Sequence, residues 1–78
     1  MPTGWQLKAA RVLIGLEAVE LAAKAKVVPS TIHRMEARGR KPVSAHAATL
    51  QAIQDALEHA GVQFTDAGGV EPIRKPRR

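Results

Sequence analysis

The sequence predicts an all-α fold of four short helices, followed by a short C-terminal β-strand or extended segment and a basic tail. Apolar residues recur at steps of three and four along most of the chain, which is the spacing of helices with one buried face. Glycine and proline fall at or between the ends of these stretches, where helices begin and stop. The 78 residues include no cysteine, so a disulfide framework and thiolate chemistry are excluded, and a reducing compartment is favoured.

The first helix is predicted from Thr3 to about Ile14. Thr3 and Gln6 have the spacing of a capping box, in which each side chain accepts a hydrogen bond from the other residue's backbone N–H. Gly15 is a suitable stop. Trp5, the only tryptophan, either covers the core or donates its indole N–H to a phosphate. The predicted buried stripe comprises Leu7, Ala10, Leu13 and Ile14.

Two further short helices, joined by a tight turn, are predicted between residues 16 and 40. Val27 falls in the turn, and Pro29 suits the first turn of the next helix because it fixes φ and needs no backbone N–H. This layout is a helix-turn-helix, whose second helix enters the major groove of DNA. The buried side of the pair is formed by apolar residues at helical spacing, namely Leu21, Ala22, Ala25, Ile32 and Met35.

Positive charge is concentrated on this pair of helices and on the tail. Residues 24–41 contain six Lys and Arg against one acid, whereas residues 42–70 contain three acids and no Lys or Arg. An ordinary helix pair with a solvated face predicts mixed charges, and a nucleic-acid footprint predicts clustering. The clustering therefore favours a nucleic-acid partner. Since an acid at the groove would repel DNA, we expect Glu36 to point inward and to pair with Arg11.

The third helix ends at Gly39 and Pro42, and the loop there carries Arg38, Arg40 and Lys41, which we expect to hold the sugar-phosphate backbone. A fourth helix follows, with Ser44 as its cap and Gly61 as its end. Its apolar stripe is the most regular in the sequence and comprises Ala47, Leu50, Ile53, Leu57 and Ala60.

Residues 62–65 alternate apolar and polar, which predicts a short strand, and residues 70–73 can return beside it. A single hairpin is not self-sufficient and an unpaired strand edge invites a partner, so we expect a homodimer contact at Leu57, Val62 and Phe64. Residues 1–66 then form a DNA-binding domain with a C-terminal dimerisation segment. Residues 67–78 form a flexible basic tail, which either solubilises the chain or adds phosphate or minor-groove contacts.

The helix pair carries Leu21, Ala22, Val27, Ser30, Thr31, Ile32, Arg34, Met35, Glu36 and Gly39 in that order. This run resembles the helix-turn-helix of phage-repressor and Cro-type regulators, the XRE family, over about residues 4–60. The resemblance implies a compact bundle of four or five helices that binds DNA, usually as a dimer. It further implies that Glu36 is structural and that the groove or flanking phosphates meet Pro29, Ser30, Thr31, His33 and Arg34.

Three positions depart from the family pattern. Ala18 stands where a phosphate-binding Gln is usual, and so has nothing to donate. Lys26 replaces the glycine of the turn, which costs about 1 kcal/mol if φ is positive there, although it adds a cation. Val28 stands where a Ser or Thr N-cap is usual, at a cost of about 1 kcal/mol.

Together these observations predict a transcriptional regulator, a repressor or an activator, that binds double-stranded DNA sequence-specifically. A homodimer would bind an inverted-repeat operator through a recognition helix at about residues 29–37, with Arg34 the leading candidate for a bidentate contact to guanine. The alternative is an antitoxin-like or adaptor module that uses the same scaffold to bind a protein. The predicted DNA contacts are Lys26, Pro29, Ser30, Thr31, His33, Arg34, Arg38, Arg40 and Lys41.

Other classes of function are disfavoured by the residues present. There is no phosphate loop and no close cluster of His with acids, so we expect neither an enzyme nor a cofactor or metal site. No apolar run is long enough for a signal peptide or a membrane span. We therefore expect a cytoplasmic, nucleoid-associated protein, with RNA polymerase or another protein as a further class of partner.

Overall fold

The computed structural model describes residues 2–43, 45–65 and 69–73. The elements are α1 (Gly4–Leu13), α2 (Ala18–Ala25), α3 (Pro29–Glu36), α4 (Ala47–Ala60), β1 (Val62–Phe64) and β2 (Val70–Pro72). The two strands form an antiparallel sheet in which Gln63 lies opposite Glu71. The fold is thus mixed α and β, and the prediction of an all-α bundle is wrong, although its short C-terminal strand is present.

The sheet is an integral part of the domain, which is why the all-α class fails. β1 packs against α1 and α4, β2 packs against α1, and Val62 is fully buried. Hydrogen bonds flank the ladder, because Ile73 N–H donates to Gly61 O at 2.7 Å and Thr65 N–H donates to Gly69 O at 2.9 Å. In an antiparallel pair, hydrogen-bonded and non-hydrogen-bonded residue pairs alternate, and the pair of Val62 with Pro72 is a non-hydrogen-bonded one,. The missing N–H of Pro72 therefore costs the sheet no hydrogen bond.

The core lies between α2 and its neighbours α3 and α4, and α1 covers it from the side of α3 and the sheet. Among the described residues, no polar or charged residue is buried, so the interior is held by apolar contact. Its largest fully buried side chains are Leu7, Leu21, Ile32, Ile53, Leu57 and Val62.

α1 begins with the predicted capping box. Gln6 N–H donates to Thr3 Oγ1 at 3.1 Å, and Thr3 N–H donates to Gln6 Oε1 at 2.7 Å. The predicted stripe is buried at Leu7 and Ala10. Leu13, the last residue of α1, is instead 47% exposed, whereas Ile14, which follows the helix, is half-buried and packs against the core.

α4 begins at Ala47, with His46 at its N-cap position, and the predicted cap Ser44 lies outside the described residues. The described helices include none that is long and apolar enough to cross a membrane. Of the predicted tail, residues 69–73 are described and contain β2, while residues 67–68 and 74–78 are outside the described part. The domain division at residue 66 stays a prediction.

The turn between α2 and α3 has a positive φ of 60° at Lys26, so the condition under which this lysine is expected to be costly is met. Val27 N–H donates to Ala22 O at 2.9 Å and closes the end of α2. A side chain in this left-handed conformation is strained, whereas glycine adopts it readily.

Replacing Lys26 with glycine is therefore expected to raise the free energy of unfolding by about 0.5–1 kcal/mol. Lys24→Gly is the matched control, because Lys24 lies inside α2, where glycine costs about 1 kcal/mol. Urea unfolding followed by circular dichroism measures both. A loss of stability in both variants would contradict the role given to the positive φ.

Candidate nucleic-acid interface

α3 presents the predicted reading face to solvent. Ile32 and Met35 anchor the helix in the core, at 2% and 3% exposure. On the other faces Ser30, His33 and Arg34 are exposed. Pro29 is exposed at the first position of the helix, and Thr31 is half-buried. Most of the predicted contact residues on α3 are thus free to meet a ligand.

Glu36, the acid on α3, is turned inward and paired as predicted. Arg11 of α1 donates to its carboxylate from Nε at 2.7 Å and from Nη2 at 3.0 Å, and also donates from Nη1 to Leu16 O at 2.9 Å. The Glu36 hydrogen bond raises the pKa of Arg11 above its ordinary value. The positive charge of Arg11 therefore offsets the negative charge of Glu36, and the pair places no unpaired negative charge beside the predicted reading face.

The loop after α3 carries three exposed cations, Arg38, Arg40 and Lys41. Gly39 turns the chain there with a φ of 62°. Arg38 Nε donates to Pro42 O at 3.1 Å, and Lys41 N–H donates to Arg38 O at 3.1 Å. We refer to residues 38–41 as the basic loop, and these bonds fix its backbone next to the end of α3.

The amino end of α1 supports the basic loop, which the sequence did not reveal. Trp5 N–H donates to Gly39 O at 2.9 Å and Gly4 N–H donates to Lys41 O at 3.3 Å. A Cβ at Gly4 would lie 2.5 Å from Met35 O and 2.8 Å from Gly39 N. In the sequence, only the glycine at position 4, inside the capping box, is consistent with this contact. A glycine there does not by itself indicate that another helix approaches closely.

Trp5 does not cover the core. It is 57% exposed, and the guanidinium of Arg40 lies over its ring at 5.3 Å from the ring centre. The interpretation of Trp5 as a core cover is therefore wrong, because α1 directs it toward the basic loop.

Two departures from the family pattern lie in the turn, and the third lies at the start of α2. Lys26 is exposed in the turn. Val28 occupies the N-cap position of α3 and is 61% exposed, where a Ser or Thr hydroxyl would cap the helix. Ala18 is 8% exposed and belongs to the core, so this position offers no side-chain group to a phosphate.

The predicted dimer residues are placed differently from expectation. Leu57 and Val62 are both 0% exposed and lie in the core of the single chain. Their side chains therefore stabilise the subunit and cannot meet a second copy directly, which corrects those two assignments. Phe64 is half-buried and packs against the same core, and it keeps some surface for a partner.

Outside this interface the surface offers a shallow groove of about 330 Å³ between α2 and α4, next to Lys24, Asp55 and His59. His59 Nδ1 lies 2.9 Å from Asp55 O on the same helix. Across residues 2–43, 45–65 and 69–73, no three His, Asp or Glu side chains come together as metal ligands would.

Comparison with known proteins identifies no relative: no family model matches the chain, and no curated protein matches it closely enough to count. The resemblance to XRE-type regulators therefore stays a prediction, and a function has to be argued from the geometry.

Proposed function

We propose that the protein is a sequence-specific double-stranded DNA-binding regulator of the helix-turn-helix class, similar to XRE-type regulators. The observation that supports it best is the surface of α3. Ser30, His33 and Arg34 point outward on a helix anchored by apolar residues, and the acid at its end is neutralised by Arg11. A three-residue turn separates α2 from α3, as in helix-turn-helix proteins.

In this proposal the side chains of α3 meet the base edges. Arg34 has the length and the planar fork for a bidentate contact to O6 and N7 of guanine. Ser30 and His33 can each donate or accept one hydrogen bond. Thr31 is half-buried and offers its methyl group or hydroxyl only from the edge of the contact surface. Pro29 is the first residue of α3, and the amino end of a recognition helix is the end that enters the major groove.

The phosphates on either side are held by the basic loop and the turn. Arg38 uses one of its five N–H donors on Pro42 O,, which leaves the terminal nitrogens for an anion. Arg40 and Lys41 follow on the same loop, and Lys26 stands at the other end of α3. Such contacts fix register and add affinity without reading sequence.

We further propose that two copies bind together. One eight-residue helix reaches only a few base pairs, and a two-fold dimer spaces two such helices by about 34 Å, one turn of DNA. An inverted-repeat operator follows from that symmetry. Such a regulator works in the cytoplasm on the nucleoid, where it represses by blocking RNA polymerase or activates by touching it.

Substitutions at Arg34 and Lys41 test this division of roles. On an operator obtained by selection, Arg34→Ala is expected to cost about 1–3 kcal/mol and to relax one base position. Lys41→Ala should weaken binding to operator and random duplex alike, and should reduce the magnitude of the salt slope by about two, because each subunit of the dimer loses one phosphate contact. Lys24→Ala is the control, because it removes a cation beside α4 and should change neither.

Fluorescence anisotropy over a range of salt concentrations measures these affinities. If six to eight cations of a dimer meet phosphates, the slope of log K against log salt should be near −5 to −7. An equal loss on operator and random duplex for Arg34→Ala would make it a backbone contact. Failure of the wild-type chain to bind any duplex would overturn the proposed function.

A further inference from the structure

One exposed aromatic side chain is tied to the interface without belonging to the helix-turn-helix. Trp5 lies in the first turn of α1 and leaves more than half of its surface in water. Trp5 is therefore not a residue of the hydrophobic core. Its described partner is Arg40, whose guanidinium lies 5.3 Å from the ring centre.

Hydrogen bonds fix the backbone that carries Trp5. Its own N–H is bonded to Gly39 O, and the capping box of Thr3 and Gln6 fixes the turn of helix that carries it. Gly39 lies next to the indole, since a Cβ at that position would be in van der Waals contact with Trp5 Nε1, at 3.4 Å. The ring is therefore carried by a fixed turn of helix, beside the long and flexible side chain of Arg40.

A guanidinium stacked on an aromatic ring remains charged and keeps its N–H groups in the plane of the fork. Stacking uses the flat face, so the edges stay available for an oxygen ligand. Holding the side chain in this orientation before binding reduces the rotamer entropy lost when a phosphate is bound. Stacking thus prepares Arg40 for an anion at the rim of the reading face.

We propose that Trp5 is a positioning residue of the DNA interface, which holds Arg40 ready to bind a backbone phosphate. The interface then extends beyond the helix-turn-helix to the amino end of α1. This inference rests on the proposed function, because it names how one cation of the basic loop is presented to the duplex.

The test is a double-mutant cycle on duplex binding with the full chain. Trp5→Ala is expected to lower affinity about two- to fivefold, because the Arg40 side chain would then lose its rotamer freedom on binding, and equally for operator and random duplex. Arg40→Ala should lower affinity on both duplexes and reduce the magnitude of the salt slope by about two, one contact for each subunit of the dimer. In the Arg40→Ala background Trp5→Ala should cost nothing further.

Two further variants separate positioning from a general loss of stability. Trp5→Phe keeps a ring over Arg40 and should restore much of the affinity lost in Trp5→Ala. Val12→Ala truncates another exposed apolar residue of α1, at 59% exposure, and should leave DNA affinity unchanged. Thermal unfolding of each variant verifies that the measured chains are folded at the assay temperature.

Because Trp5 is the only tryptophan, its emission reports on this site alone. Emission should change when either duplex is added, and that change should weaken in Arg40→Ala at the same fraction of protein bound. Independent, additive losses in the cycle would overturn the positioning role while leaving DNA binding intact. A wild-type chain that binds no duplex would overturn both this inference and the proposed function.

Discussion

Replacing Gly4 with alanine is expected to lower the free energy of unfolding by about 3 kcal/mol or more, at the upper end of overpacking effects. The added Cβ would lie 2.5 Å from Met35 O, 2.8 Å from Glu36 O and 2.8 Å from Gly39 N. All three are backbone atoms, so no side chain can rotate away. The end of α1 would have to move off α3, breaking the bonds that join Gly4 and Trp5 to the basic loop.

The matched control is Gly15→Ala. Gly15 has a positive φ of 72°, which disfavours a side chain, but nothing lies within 4 Å of its added Cβ. Its expected loss is therefore about 1 kcal/mol, from backbone strain alone. Urea unfolding measures both variants. Equal losses at the two glycines would show that the close approach of α1 to α3 is unimportant.

Replacing Glu36 with alanine is expected to lower the free energy of unfolding by about 2–4 kcal/mol. Breaking a buried pair by removing one partner costs about 3–5 kcal/mol, and the lower figure allows for side chains that keep 14% and 9% exposure. The loss arises because Arg11 would be left with one partner, Leu16 O, and a charge close to the core. Glu36→Gln, which still accepts one hydrogen bond, should lose less.

A double-mutant cycle with Arg11→Ala isolates this pair, and coupling of about 1–3 kcal/mol is expected. The control cycle uses Gln51 and Asp55, which are joined at 2.8 Å on the exposed face of α4 and should couple by about 0.5 kcal/mol or less. Coupling no larger at Arg11 and Glu36 than on α4 would contradict the structural role of the pair.

The pKa of Arg11 determines how its contribution to the free energy of unfolding varies with pH. The pKa of Arg11 is raised in the folded chain by its hydrogen bond to Glu36. A base with a raised pKa stabilises the fold at every pH below its unfolded pKa and loses that effect only as pH rises through the folded value. The arginine contribution should therefore be constant from pH 6 to 9, and is lost only in strongly alkaline solution.

The features predicted correctly from the sequence are those that local chemistry determines. Thr3 and Gln6 are three residues apart and cap their own helix, and a lysine stands where a turn needs positive φ. The pairing of Glu36 with Arg11 spans two helices. It was still predictable, because an acid facing the proposed DNA groove would repel phosphates, and this favours an inward position next to a cation of the first helix.

The features that were missed depend on contacts between distant segments. β2 has three residues, too few for a periodic pattern, so the sequence predicted only that residues 70–73 can return beside the first strand, and not that the sheet packs against α1 and α4. The apolar stripe of α4 shows that Leu57 is covered but does not say whether its own chain or a second copy covers it. Gly4 and Trp5 both meet the basic loop, more than thirty residues away, and neither contact has a local signal.

Selection from random duplexes, followed by footprinting of the selected site, tests most directly whether α3 reads bases. One enriched inverted repeat is expected, with half-site centres about 10 base pairs apart, protected by two subunits and bound far more tightly than the starting pool. A selected pool that binds no better than random duplex at every salt concentration would contradict it.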